Sequence, residues 1–144
     1  MTRAEIVALV ARCQTAFDRL DADLIAAEHS DSCVMESPTA GGTVVGRAGI
    51  LKVYDLWFQG FPDLVATQEE LLIDGSRFSQ SYTLTGTDTG GFLGLPPTGK
   101  PFRVPMVWVC EVVDGKIARS RPIYDYSGVL IQIGVLKAKP AKLS

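Results

Sequence analysis

One histidine and no asparagine occur in the 144 residues of this chain. The histidine, His29, lies among Glu28, Ser30 and Asp31 at the expected end of a helix, where a solvated imidazole is the ordinary outcome. That leaves none for a histidine-rich metal site or a serine hydrolase triad, and no metal is expected. Cysteine is sparse too. Cys13, Cys33 and Cys110 are odd in number, far apart and set among apolar neighbours, which reads as buried free thiols in a reducing compartment and hence a cytoplasmic location. None has a visible base partner for nucleophilic chemistry. No Gly-x-Gly-x-x-Gly stretch marks a dinucleotide site. Apolar runs stay well short of membrane length, and the N-terminal helix-like stretch is broken by Arg3, Glu5 and Arg12, so neither a span nor a signal peptide is expected. The formal charge is -2, with scattered basic residues. Such a surface has no footprint for phosphate backbones, so nucleic acid is excluded as a partner, and membrane likewise.

What is present is an ordinary globular composition, 47% hydrophobic and 21% charged. The length suits one domain over 1–144, with a basic, Pro-containing tail from Lys137 to Ser144 expected to fray. Thr2 and Glu5 have capping-box spacing, and Ile6, Leu9, Val10, Cys13, Phe17 and Leu20 recur at intervals of three and four, which predicts an amphipathic helix. Asp21 is placed to cap a short second helix through Ala27. Cys33 to Pro38 reads as a strand before a Gly-rich turn, TAGGT, and Gly46 to Phe61 returns to helical spacing. Beyond Asp63 the pattern changes. Turn signals at Asp74-Gly75 and Asp114-Gly115, with a Gly/Pro-rich stretch over 90–100, divide 63–126 into about four antiparallel strands. From Phe78 the residues alternate, Phe78, Gln80, Tyr82 and Leu84 on one side and Ser79, Ser81, Thr83 and Thr85 on the other. Val104 to Val113 is apolar at nearly every position, which implies cover on both faces and makes a second subunit the simplest cover for the outer one. A last short helix follows Ser127. Helices first and a meander of strands afterwards is an α+β order: a curved antiparallel sheet packed against the N-terminal helices around an apolar pocket.

GLPPTGKP, over Gly94 to Pro101, has P-loop spacing without P-loop physics. Pro96 and Pro97 remove amide donors, Pro101 stands where Ser or Thr must hold magnesium, and a strand follows instead of a helix.

GFPDL (Gly60 to Leu64), TGTDTGGFLGLPPTGK (Thr85 to Lys100), DGKI (Asp114 to Ile117) and DYSGVLIQIG (Asp125 to Gly134) together resemble, in order and spacing, the SnoaL-like polyketide cyclases of the nuclear transport factor 2-like superfamily, whose fold is also called cystatin-like. The resemblance implies a cone-shaped fold and a cofactor-free, often oligomeric enzyme that closes aromatic polyketide rings by an intramolecular aldol reaction. Its acid/base aspartate falls on Asp125. The Thr-His-Thr-Gly pattern of relatives reads Thr87-Asp88-Thr89-Gly90, which makes Asp88 a candidate helper; an arginine frequent earlier on that strand is Ser81, and the substrate-orienting asparagines have no counterpart. Where ketosteroid isomerases carry a general-base aspartate before a proline, this chain has Ser37, with Glu36 pointing to the opposite face. Limonene-epoxide hydrolases need an Arg-x-Asp pair, which no strand here supplies.

The expected function is therefore a cofactor-independent acid/base enzyme of cyclase, isomerase or hydrolase type acting on a small apolar carbonyl compound. Asp125, between Tyr124 and Tyr126, would need its carboxyl in a dry hollow to raise its pKa toward neutrality. Trp57, Phe61, Met106 and Trp108 are expected to wall that hollow, with Gln80, Tyr82 and Tyr124 as its polar lining. The competing structural roles are a helix cap or an Arg119 or Arg121 partner for Asp125, a turn former for Asp88 and a solvated strand residue for Glu36. The alternative function is a non-catalytic, homodimeric binding module for a small apolar molecule.

Overall fold

The computed structural model describes residues 1–138 and 142. The tail expected to fray over 137–144 falls mostly outside them. Helix α1, Arg3–Asp18, starts at a complete capping box: Glu5 N–H donates to Thr2 Oγ1 and Thr2 N–H to Glu5 Oε2, both at 3.1 Å. These bonds satisfy two of the amide donors that a helix start leaves orphaned. Ile6, Leu9, Val10, Cys13 and Ala16 form its buried face. Asp21 caps α2 (Ala22–Ala27) by accepting from Leu24 N–H at 3.1 Å.

Strands β1 (His29–Ser37) and β2 (Gly42–Val45) form a hairpin, and helix α3 (Arg47–Gly60) follows. Then comes the meander β3 (Val65–Asp74), β4 (Arg77–Thr87), β5 (Pro101–Val113) and β6 (Lys116–Tyr124), closed by helix α4 (Tyr126–Gln132). Asp114 and Gly115 both take positive φ, 51° and 77°, as a two-residue hairpin requires. The six strands make one sheet in the order β2-β1-β6-β5-β4-β3. All neighbours are antiparallel except β1 and β6, which run parallel. Expectation had an all-antiparallel sheet; the parallel pair needs a long crossover, which α3 and the meander supply.

Three further differences have physical causes. Strand β2 occupies part of the stretch read as a turn, because four edge residues with only Val44 and Val45 as strand formers leave too short a pattern. Strand β1 begins at His29 instead of Cys33. His29 is accordingly not solvated but fully buried, its Nδ1 donating to Ile25 O at 2.9 Å.

The core lies between α1, α3 and the inner face of the sheet. Along β5 alternation decides burial: Phe102, Val104, Trp108, Cys110 and Val112 point inward, while Pro105, Val107 and Glu111 are exposed on the outer face. The thiols of Cys13, Cys33 and Cys110 are free and buried. Among the described residues no helix is long and apolar enough to cross a membrane.

Candidate functional site

An apolar cavity of about 70 Å³ lies within this core. Helices α1 and α3 contribute Cys13, Tyr54 and Trp57, and the sheet contributes Met35 and Ser37 from β1, Tyr82 from β4, Met106 and Trp108 from β5 and Tyr124 from β6. All sit at positions whose alternation or helical phase turns them inward. An apolar cavity near 150 Å³ takes up a benzene ring, so this one would have to widen to admit a ring. Met35 and Met106 are its adaptable walls, since unbranched thioethers change rotamer at little cost. An open groove of about 440 Å³, bounded by Glu36 and Arg121, lies on the other side of Ser37, Pro122 and Tyr124, which line both hollows.

Of the residues expected to line a pocket, Trp57, Tyr82, Met106, Trp108 and Tyr124 do so. Phe61 does not. It is fully buried one layer behind Trp57, packed between Phe92 and Phe102 with ring centroids 4.7 and 4.8 Å away. Gln80 does not either. Its Nε2 donates to Glu70 O at 3.1 Å and Ser81 O at 2.9 Å, so this buried amide staples the bulge in β3 that shifts the register between Gln68 and Leu71. A polar residue on an apolar face does need a partner; the irregular neighbouring strand provides it.

The two aspartates also stand outside the cavity lining. Asp125 is exposed and caps α4, its Oδ1 accepting from Gly128 N–H at 2.9 Å. The expected dry hollow therefore does not surround its carboxyl, because the chain turns into α4 at this residue and directs the side chain at the helix's own amides. Arg119 and Arg121 bind Glu36 instead, at 2.7 and 3.2 Å on the outer face, and the Arg119 hydrogen bond holds the Glu36 carboxyl below its usual range. Asp88 is 1% exposed. Its Oδ1 accepts from Phe92 and Gly91 N–H at 2.9 and 3.2 Å, and its Oδ2 from Thr98 N–H and Oγ1, both at 3.1 Å. This carboxylate folds the 88–100 loop so that Phe92 plugs the core against Trp57, with ring centroids 4.7 Å apart. Gly90 lets the loop approach α3, since a Cβ there would lie 1.8 Å from Gln59 O.

The polar residues that line the cavity are Ser37, Tyr54, Tyr82 and Tyr124 with their hydroxyls, Cys13, Gln14 and the two tryptophans Trp57 and Trp108. Burial pushes Tyr54 well above the usual phenol range and raises Tyr82 and Tyr124, with the Thr39 and Ser37 hydroxyls opposing at Tyr124. The Cys13 thiol is pushed up to about 12, also by burial. At neutral pH these groups are protonated, so they offer hydrogen-bond donors and no base. No Asp, Glu, Lys, Arg or His is among the described lining residues. At one end of the cavity Trp57 Nε1 donates to Thr39 Oγ1 at 3.0 Å, and Thr39 Oγ1 is hydrogen-bonded to the Tyr124 hydroxyl. Beside them Ser37 is 4% exposed and its Oγ has no hydrogen-bond partner. Sequence reasoning singled out Ser37 only as a missing aspartate, and its unpaired hydroxyl is visible only in three dimensions. Among the described residues no cluster suited to a metal ion occurs.

Solved structures resemble this chain along most of its length, and a curated relative along about half of it. The nogalonic acid methyl ester cyclase of Streptomyces nogalater is 35% identical over 71 residues, which are 48% of this chain and 53% of that protein, so the match spans about half the length of the curated relative. The solved structure of AclR from Streptomyces galilaeus, a candidate hydroxylase, superposes with a TM-score of 0.82 at 27% identity, covering 96% of this chain and 91% of that one. That of IdmH from Streptomyces antibioticus, a candidate polyketide cyclase, gives 0.74 at 28% identity over 90% and 98%. Since the sequence pattern of the SnoaL-like polyketide cyclases matches residues 7–133, and the fold accords with it, the chain belongs to that family.

Proposed function

We propose that the protein takes a small, largely apolar carbonyl compound into the cavity under Trp57 and Tyr124, and that its role there is of cyclase or isomerase type. The observation that carries this reading is the lining itself, aromatic and aliphatic walls with neutral hydroxyl donors converging on one end. Such a site has the ordinary composition of a small-molecule pocket. Its protein groups can stabilise negative charge developing on a carbonyl oxygen, which in a water-poor site is a large contribution to catalysis. A proton shuttle on Asp125 is not part of this reading, because its carboxylate faces solvent. Membership of a cyclase family and a relative named as a cyclase support the reaction class.

Trp57 and Trp108 are the only tryptophans of the chain and both line the cavity, so indole fluorescence reports on it directly. Titration with bicyclic and tricyclic aromatic ketones is expected to shift or quench that fluorescence. Leu84→Phe, which fills the cavity, is expected to weaken the effect at least about tenfold, as the loss of one ring-sized volume implies. No response to any of these ketones, or a response that Leu84→Phe leaves unchanged, would refute the reading.

The outer sheet face supports a second proposal, that two copies pair there. Val107 and Ile123 are in register across β5 and β6, 38% and 50% exposed. Arginines and glutamates flank them, among them Arg103, Glu111 and Arg119, so a two-fold related copy can set opposite charges against each other.

A further inference from the structure

We infer that the Ser37 and Tyr124 hydroxyls form an oxygen-binding corner of the cavity, taking a ketone or enol oxygen attached to a flat apolar body. This inference deepens the cavity reading and rests on it.

Three observations carry it. Ser37 Oγ is buried, borders the cavity and has no partner, and a buried hydroxyl left unpaired is costly enough that a native protein rarely keeps one without a use. Tyr124 borders the same end of the cavity, and the Ser37 hydroxyl lies near enough to it to help lower its pKa, although no full hydrogen bond forms between the two. Finally, the hydrogen bonds behind Tyr124 admit one arrangement that points at the cavity. Trp57 N–H can only donate, so Thr39 Oγ1 accepts from it. Thr39 keeps a second lone pair and its own proton, and in the proposed arrangement it donates that proton to the Tyr124 oxygen. The Tyr124 proton is free in that arrangement. In a chain of this kind each bond polarises the next, so the terminal hydroxyl is a better donor than an isolated phenol. At least one hydroxyl proton thus lacks an acceptor at this end of a mainly apolar space, and a carbonyl or enol oxygen is the complementary group. Thr39 lies outside the lining and acts through Tyr124 as a positioning residue.

The test uses two probes of nearly one shape, acetophenone and α-methylstyrene, which differ by an oxygen in place of a methylene. Binding is followed by NMR of the Met35 and Met106 methyl groups, and the carbonyl stretch of bound, isotope-labelled acetophenone is read by difference infrared spectroscopy. Ser37→Ala is expected to lower the affinity for acetophenone about threefold to tenfold, the worth of one neutral hydrogen bond, while the hydrocarbon binds as before. Thr39→Val is expected to move the stretch toward the unbonded frequency, and Thr39→Ser to restore it, a response that a merely structural threonine would not produce. Tyr124→Phe serves as the second variant should Ser37→Ala fail to fold, with the same expected loss confined to acetophenone. If the hydrocarbon binds and neither Ser37→Ala nor Tyr124→Phe changes the affinity ratio, the oxygen corner is overturned and the cavity reading stands. If neither probe reaches the methionines, the cavity reading fails and this inference with it.

Discussion

Replacing Asp88 separates a structural carboxylate from a catalytic one. In Asp88→Ala, four donors lose their acceptor: Phe92 and Gly91 N–H, Thr98 N–H and the Thr98 hydroxyl. Phe92 is fully buried, so its amide is left unpaired at a cost of about 1–3 kcal/mol. Thr98 is exposed and its donors turn to water, so each of the other bonds counts only about 0.5–1.5 kcal/mol. The sum is about 2.5–7.5 kcal/mol. For a chain of this size that corresponds to a fall of roughly 10–20 °C in Tm. Asp88→Asn is milder. With Oδ1 kept toward Gly91 and Phe92, the new amide faces Thr98, whose hydroxyl can turn to accept while its N–H cannot. Loss of that bond and of the charge assistance on the rest amounts to about 1–3 kcal/mol. Urea unfolding midpoints at constant m would measure both variants. A loss below about 1 kcal/mol in Asp88→Ala would refute the staple, as would full stability with lost ligand turnover in Asp88→Asn.

Asn caps helices as well as Asp does, so Asp125→Asn should leave both stability and any turnover intact, whereas Asp125→Ala should cost about 1 kcal/mol; lost turnover in a fully stable Asp125→Asn would return the carboxyl to the chemistry. Burial lowers the His29 pKa below its usual 6.5, so the unfolded chain binds the proton more readily. Stability from the neutral imidazole is full above about pH 6.5 and falls as pH drops from there toward the lowered value. The slope of stability against pH in that window should flatten in His29→Gln, and an unchanged slope would contradict the assignment. Ile123→Glu should convert a dimer to a monomer by sedimentation equilibrium, and a wild-type chain that is monomeric at all concentrations would end the pairing proposal.

How much of this protein was legible along the chain depends on the range of the interactions involved. The helix starts at Thr2 and Asp21, the hairpin at Asp114-Gly115 and the alternation from Phe78 to Thr85 are set by neighbours within a few residues, and they could be read directly. So could the inward phase of Trp57, Tyr82, Met106 and Trp108. Family motifs added the overall cone. What tertiary structure alone decided is where polar groups find partners. Gln80 shows this, since its staple depends on a bulge in another strand. Asp88 and Asp125 show it as well, because identical carboxyls become a buried loop clamp and an exposed cap according to which amides surround them. Ser37 is the reverse case: its hydroxyl is notable because no full hydrogen bond from the described residues reaches it, and an unmet hydrogen bond has no signature in a sequence.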